Sequence, residues 1–127
     1  MTMRQPVPAK ATTEGPILTR AVLRAGSRLG LTNKTVARII GVSEATISRM
    51  GRGNYVLARG DKPFELAVLL VRLFRALDAI VGGDEETARS WLQSENIALG
   101  APPIEKIQTI PGLVDVIAYL DARRALV

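Results

Sequence analysis

The side chains that could do chemistry in this chain are charged ones. Its 127 residues include 17 Lys or Arg and 12 Asp or Glu, but no histidine and no cysteine. A chain without those two residue types has no Ser–His or Cys–His nucleophile pair, no thiolate or imidazole metal ligand and no ordinary neutral-pH general base. Carboxylate or lysine chemistry is what remains. The densest acidic run is Asp84-Glu85-Glu86-Thr87. Its order fits a helix start better than a metal or acid–base site, with Asp84 as N-cap and the glutamates in the first turn, where the helix dipole favours negative charge. The expectation is therefore no enzyme, no metal and no cofactor. An enzyme working through carboxylates or lysine is the rival.

The basic residues point elsewhere, because they are unevenly placed. Residues 1–60 carry ten Lys or Arg against two Asp or Glu, and residues 61–127 carry seven against ten. A basic half joined to a mildly acidic half suggests a nucleic-acid reader joined to something else. A solvated basic face is the plainer alternative.

Elements of some kind must position these charges. Apolar residues make up 47% of the chain, enough for a core, and a globule of this size buries about two-thirds of its unfolded surface. Residues 1–15 hold Pro6 and Pro8 and little hydrophobicity, and read as a mobile arm whose Arg4 and Lys10 could touch phosphate. Helical periodicity begins near Pro16 or Ile17. Leu18, Ala21, Val22, Ala25 and Leu29 make one stripe, with Arg20, Arg24 and Arg28 opposite. Two short helices flank Gly41, and the glycine-rich basic stretch 51–62 reads as a loop. A fourth helix, from Pro63 to Val81, is apolar on nearly every side, so it belongs at the centre of the molecule or at a subunit contact. Its Arg72 and Arg75 make it a poor membrane span. Gly82 and Gly83 end it. Ala88, Trp91 and Leu92 give the inner face of a fifth helix. Pro103 opens a short sixth, and Thr109 caps a last helix striped by Leu113, Val116, Ile117 and Leu120. No alternating strand pattern of useful length occurs, and the fold class expected is all-α. The start of the chain lacks the apolar run of a signal peptide, so a cytoplasmic protein is expected.

Counting outward from Gly41 makes the first two-helix unit specific. Val36 and Ile40 precede the glycine; Val42, Ile47 and Met50 follow it. A helix-turn-helix buries apolar groups at these positions. Ala37 falls where the helices cross, and Ser43 is a good N-cap for the second helix. The turn usually needs positive φ, which glycine adopts freely. "VARIIGVSEATISRM" thus resembles the helix-turn-helix of Xre-type regulators. The resemblance implies that Glu44 to about Met50 is the recognition helix, with Ser43, Glu44, Ala45, Ser48 and Arg49 outward. Arg49 could fork onto a guanine edge or hold a phosphate, and Glu44 could accept from cytosine. Lys34, Arg52 and Arg59 are phosphate candidates. One motif reads one half-site, so a homodimer is expected. The fourth helix is a candidate dimer surface, with core packing the other explanation of its pattern.

The last third resembles the toxin-binding domain of Xre/MbcA/ParS antitoxins. The residues that carry it are Trp91, Leu92, Asn96, Leu99, Gly100, Pro103, Thr109, Gly112, Leu113 and the run from Tyr119 to Ala122. Two departures stand out: Ala101 replaces a frequent second glycine, and "RRALV" replaces a frequent glycine near the end of the final helix. The resemblance implies an antitoxin that binds a RES-domain toxin encoded by an adjacent gene, a toxin that consumes NAD or transfers ADP-ribose. It would cover the toxin's active-site entrance and repress its own operon through operator DNA. Toxin contact is expected of Leu99, Gly100, Tyr119, Arg123 and Arg124. Trp91 and Leu92 read as core, and Gly100, Pro103 and Gly112 as turn formers.

The expected organisation is an arm at 1–15, a helix-turn-helix domain at 16–62 and a helical toxin-binding domain at 63–127. The alternative is a free-standing Xre-type regulator whose second half only dimerises or senses a ligand. A third possibility is an interaction module with a vestigial helix-turn-helix.

Overall fold

One long apolar helix organises the molecule. In the computed structural model, which describes residues 9–125 with side chains from Thr13 onward, the chain forms α1 (Ala9–Arg28), α2 (Asn33–Ile40), α3 (Glu44–Gly51), α4 (Lys62–Val81), α5 (Glu85–Gln93), α6 (Pro103–Lys106) and α7 (Ile110–Arg124). No strand occurs among the described residues. Helix α4 packs against α1, α2, α5 and α7. Its Leu66, Ala67, Leu70, Leu73, Ala76 and Leu77 are buried, which is why its sequence is apolar on so many sides. Burying a Leu side chain contributes roughly 1.5–3 kcal/mol, so α4 is the shared core of both halves. No helix of the described residues is long and apolar enough to cross a membrane.

The helix boundaries follow from local chemistry. Thr32, Ser43, Asp84 and Thr109 are extended residues whose side-chain oxygens accept from amides two or three positions on, capping α2, α3, α5 and α7. Gly41 and Gly82 end α2 and α4 with φ of 79° and 64°. Pro63 sits in the first turn of α4, where a missing N–H costs nothing. All of these but the Thr32 cap agree with the sequence reading.

The start of α1 does not. Helix reaches back to Ala9, so Pro16 lies inside α1 rather than opening it. Residues 1–8, with Arg4, lie outside the described residues, as does the Lys10 side chain. The early onset has a tertiary cause. A Cβ on Gly15 would stand 2.5 Å from the Leu57 carbonyl oxygen, so helix and loop touch here as only glycine permits. Thr19 Oγ1 donates to the Gly15 carbonyl oxygen (2.7 Å) and accepts from the Leu57 amide (3.0 Å). Arg59 pairs with Glu14. Together these contacts hold the turn that Pro16 weakens by removing a donor. The expected faces of α1 are otherwise present: Val22, Ala25 and Leu29 are buried, Leu18 and Ala21 half-buried, and Arg20, Arg24 and Arg28 exposed.

Among the described residues, side chains tie the two halves together at Arg28–Glu85, Arg89 and Arg38, and α4 is tied to α7. Arg89 of α5 donates to the carbonyl oxygens of Ser27 and Arg28 at the end of α1, at 3.0 Å each. Arg38 of α2 donates to Gln108 (3.4 Å). Arg72 of α4 pairs with Asp121 of α7 at 2.5 Å.

Candidate functional site

The first candidate surface is built on α3. Its inner residues Ile47 and Met50, with Thr46, are buried against the core. In α2, Val36, Ala37, Ile39 and Ile40 are buried in turn, and Val42 packs partly against them. The Gly41 and Val42 amides both donate to the Ala37 carbonyl oxygen, at 2.8 and 3.0 Å. That closes α2 and starts α3 in a fixed direction. Burial of one face leaves Glu44, Ala45 and Arg49 exposed on the other, with Ser48 half-buried. Lys34 at the start of α2 and Arg52 at the end of α3 are exposed as well.

Arg49 is held by a short relay. Ser43 Oγ accepts from the Thr46 amide (3.0 Å) and shares a hydrogen bond with Thr46 Oγ1 (3.0 Å). Thr46 Oγ1 accepts from Arg49 Nη2 (3.0 Å). The guanidinium also lies 5.9 Å from the Tyr55 ring centroid, a cation–π distance. Four of its five N–H donors remain for another partner. Ser43 is thus engaged as the helix cap, which leaves its hydroxyl little capacity for a base. Arg59, a phosphate candidate, is engaged by Glu14. Thr46 and Tyr55 are the members that the sequence reading missed. Thr46 stands three residues after the cap, a spacing that brings side chains together on a helix. Tyr55 arrives from the following loop, and nothing in its spacing announces the contact.

The second candidate surface is an aromatic stack. The Trp91 and Tyr119 rings lie with centroids 6.2 Å apart and planes 18° from parallel. Arg123 Nη1 donates to Tyr119 Oη (3.0 Å), and its guanidinium carbon lies 5.7 Å from that ring's centroid. Leu92 is fully buried, as expected, but Trp91 is only half-buried. Its ring packs against the edge of the core and leaves a partly open platform.

Arg123 and Arg124 part company. Successive residues on a helix point about 100° apart, so while Arg123 joins Tyr119, Arg124 lines a groove between α1 and α4. Leu99 and Gly100 belong to the α5–α6 loop. The Leu99 amide donates to Asn96 Oδ1 (3.1 Å) and the Gly100 amide to the Asn96 carbonyl oxygen (2.8 Å). Gly100 adopts φ 82°, a turn former as expected.

Gly112 is not one. It lies in the first turn of α7, where Thr109 Oγ1 accepts from its amide at 3.1 Å. A Cβ there would fall 1.9 Å from the Lys106 carbonyl oxygen. Glycine is needed because α6 presses its end onto α7.

Asp84 caps α5, as its place in the sequence suggests. Its carboxylate accepts from the Thr87 hydroxyl (2.8 Å) and from the Thr87 and Glu86 amides. The Thr87 hydroxyl above all, and then the amides, hold its pKa below the ordinary 3.8.

Helix-turn-helix, core helix and aromatic-topped C-terminal helices make a two-part all-α architecture. The chain matches the antitoxin Xre-like helix-turn-helix domain over residues 8–72, just over half its length. It matches the antitoxin Xre/MbcA/ParS C-terminal toxin-binding domain over 76–125. It therefore belongs to the Xre/MbcA/ParS antitoxin family. The two matches meet inside α4. The structure is similar to a chain of the crystal structure of the M. tuberculosis MbcT–MbcA toxin–antitoxin complex, with TM-score 0.63 and 27% identity over 84% of this chain and 92% of that one. A comparison with curated proteins gave no match.

Proposed function

We propose that the protein neutralises a toxin by direct binding, covering its active-site entrance, and represses its own operon through α3. The partner is a RES-domain toxin that consumes NAD or transfers ADP-ribose from it. The observation that carries this reading is the pairing of the two family matches on one chain. The likeness to a chain of a toxin–antitoxin complex supports it.

In this reading Glu44, Ala45, Ser48 and Arg49 face base edges, with Ser43 at the helix start, and Lys34 and Arg52 hold phosphates. A homodimer supplies two half-sites. Leu99, Gly100, Tyr119 and Arg123 contact the toxin, and Arg124 does so from the neighbouring face. Residues 16–62 serve DNA and 63–127 the toxin, with α4 giving core to both. The guanidinium held at Tyr119 carries donors suited to a nucleotide phosphate. No step of catalysis is assigned to this chain; its action is occlusion.

Co-expression tests the reading. The adjacent open reading frame is expressed with and without this protein, and growth, cellular NAD and co-purification are scored. Growth arrest with NAD loss, relieved by a stable complex, is the expected result. A harmless neighbour that does not co-purify would leave the free-standing regulator as the better account.

A further inference from the structure

An apolar groove runs between α1 and α4, away from the residues assigned above except Arg124. Its wider part holds about 570 Å³ and is floored by Ile17, Leu18, Ala21, Phe64, Val68 and Val71. Ile17 and Val68 are 57% and 44% exposed, large for branched side chains placed side by side. A narrower part of about 230 Å³ shares Ala21 and Val71 and continues to Phe74. Along α1 the groove extends from Glu14 to Arg28, about 21 Å at 1.5 Å per residue. That is about four helical turns.

Its rim is basic. Arg72, Arg75 and Arg124 border the wide part, and Arg24 and Arg28 the narrow part. Arg72 is paired with Asp121 and Arg28 with Glu85. Arg24, Arg75 and Arg124 are exposed and form no ion pair among the described residues. Among the described residues the one carboxylate on the rim, Glu14, is engaged by Arg59.

We propose that this groove docks an acidic amphipathic helix of a partner protein. The apolar floor fits residues at i, i+3, i+4 and i+7 of a helix laid lengthwise. The free arginines fit carboxylates flanking that stripe. A second copy of this chain fits less well, because it would bring the same unpaired arginines toward the rim. Nucleic acid fits poorly too, since phosphates would face an apolar floor. The site is separate from α3 and from the Trp91–Tyr119 platform, and it does not rest on the nature of the toxin.

A labelled synthetic helix tests this, with Leu at the stripe positions and Glu elsewhere. Its twin carries Lys in place of Glu. Fluorescence anisotropy is read against the full chain. The Glu helix should bind, with affinity falling as salt rises, and the Lys twin should not. Val68→Glu and Arg75→Glu should each weaken binding about tenfold or more, the scale of a lost interface anchor or charge pair. Ile97→Glu, at a fully exposed loop position, should leave binding unchanged. Circular dichroism melts confirm that each variant is folded. Equal binding of the twins, no binding of the Glu helix, or affinity untouched by Val68→Glu would overturn the proposal. So would a wild-type dimer that Val68→Glu dissolves, which would give the groove to a second copy.

Discussion

Gly41 and Gly112 each stand at a junction between two helices, one in the helix-turn-helix half and one in the half that matches the toxin-binding domain. At Gly41 the backbone is left-handed, with φ 79°, and a Cβ would meet nothing closer than Leu66 Cδ1 at 3.8 Å. There the dihedral requires glycine and the space does not. At Gly112 the backbone is helical, and a Cβ would sit 1.9 Å from a carbonyl oxygen of the helix before it. There the space requires glycine and the dihedral does not. The α2–α3 junction is set by a turn, the α6–α7 junction by close contact of two helices around a cap.

Alanine at each position separates these causes. Gly112→Ala should have the larger effect, because backbone cannot move aside as a side chain can. A loss of about 3 kcal/mol is expected, at the upper end for overpacking. Urea unfolding of the full chain measures it. Toxin binding should fall with it, since α6 must lift from α7. A near-neutral result would mean that α6 is loosely seated and the contact is incidental.

Arg49→Ala should come next, and it tests the halves as functions. Loss of a bidentate base contact costs roughly 1–3 kcal/mol of operator affinity, so binding in a gel shift should weaken several-fold to a hundredfold. Toxin neutralisation in co-expression should be unchanged. Arg49→Lys keeps the charge and loses the planar fork, so it should recover the salt dependence of binding but not the sequence preference. If Arg49→Ala damaged both activities, the two halves would be coupled, with Arg38–Gln108 and Arg89–Ser27 as the first links to examine.

Gly41→Ala should be milder, costing about 1–2 kcal/mol for a left-handed alanine. The same unfolding series gives the number. A loss as large as that at Gly112 would show that the α2–α3 junction is also closely packed, and the contrast between the halves would fail.

The contrast also explains how much could be read in advance. Gly41, Ser43, Thr109, Asp84 and Gly82 were legible because each acts within a few residues of itself, through a dihedral or a cap. The apolar stripes were legible because burial imposes its own period. Gly112 looked like a turn because its reason lies in the position of Lys106, which only the folded chain supplies. The onset of α1 was misplaced for a similar reason: Pro16 argued locally for a start, while Gly15, Thr19 and Glu14 hold the helix through the 57–59 loop. Arg123 and Arg124 were grouped by sequence adjacency, although helical geometry alone places them on different faces. The Tyr119–Arg123 pair, one turn apart, was the legible part. Of the α3 surface the exposed residues were foreseen, but the relay through Thr46 to Arg49, braced by Tyr55, depends on a loop conformation that no periodicity encodes.

The smallest expected effect is on pH. Among the described residues of the first half, the side chains that cap a helix by hydrogen bonding are Thr32 and Ser43, hydroxyls that do not titrate in the acid range; Asp61 at the start of α4 makes no such bond. In the second half α5 is capped by Asp84, whose pKa is held below 3.8 by the Thr87 hydroxyl and nearby amides. A carboxyl with a depressed folded pKa stabilises fully above its unfolded value and loses that contribution as pH falls through the folded one. The melting midpoint of wild type should therefore exceed that of Asp84→Ala by a constant margin above about pH 5, and the margin should shrink below pH 3.8. Because the group is exposed, the margin should be small. Thr87→Val, which removes the largest cause of the shift, should move the Asp84 carboxyl titration seen by NMR back toward 3.8. Ser43→Ala should instead give a margin that does not change with pH, since its cap is neutral in both states. A pH-dependent margin at Ser43, or none at Asp84, would show that acid acts on the halves through something other than their caps.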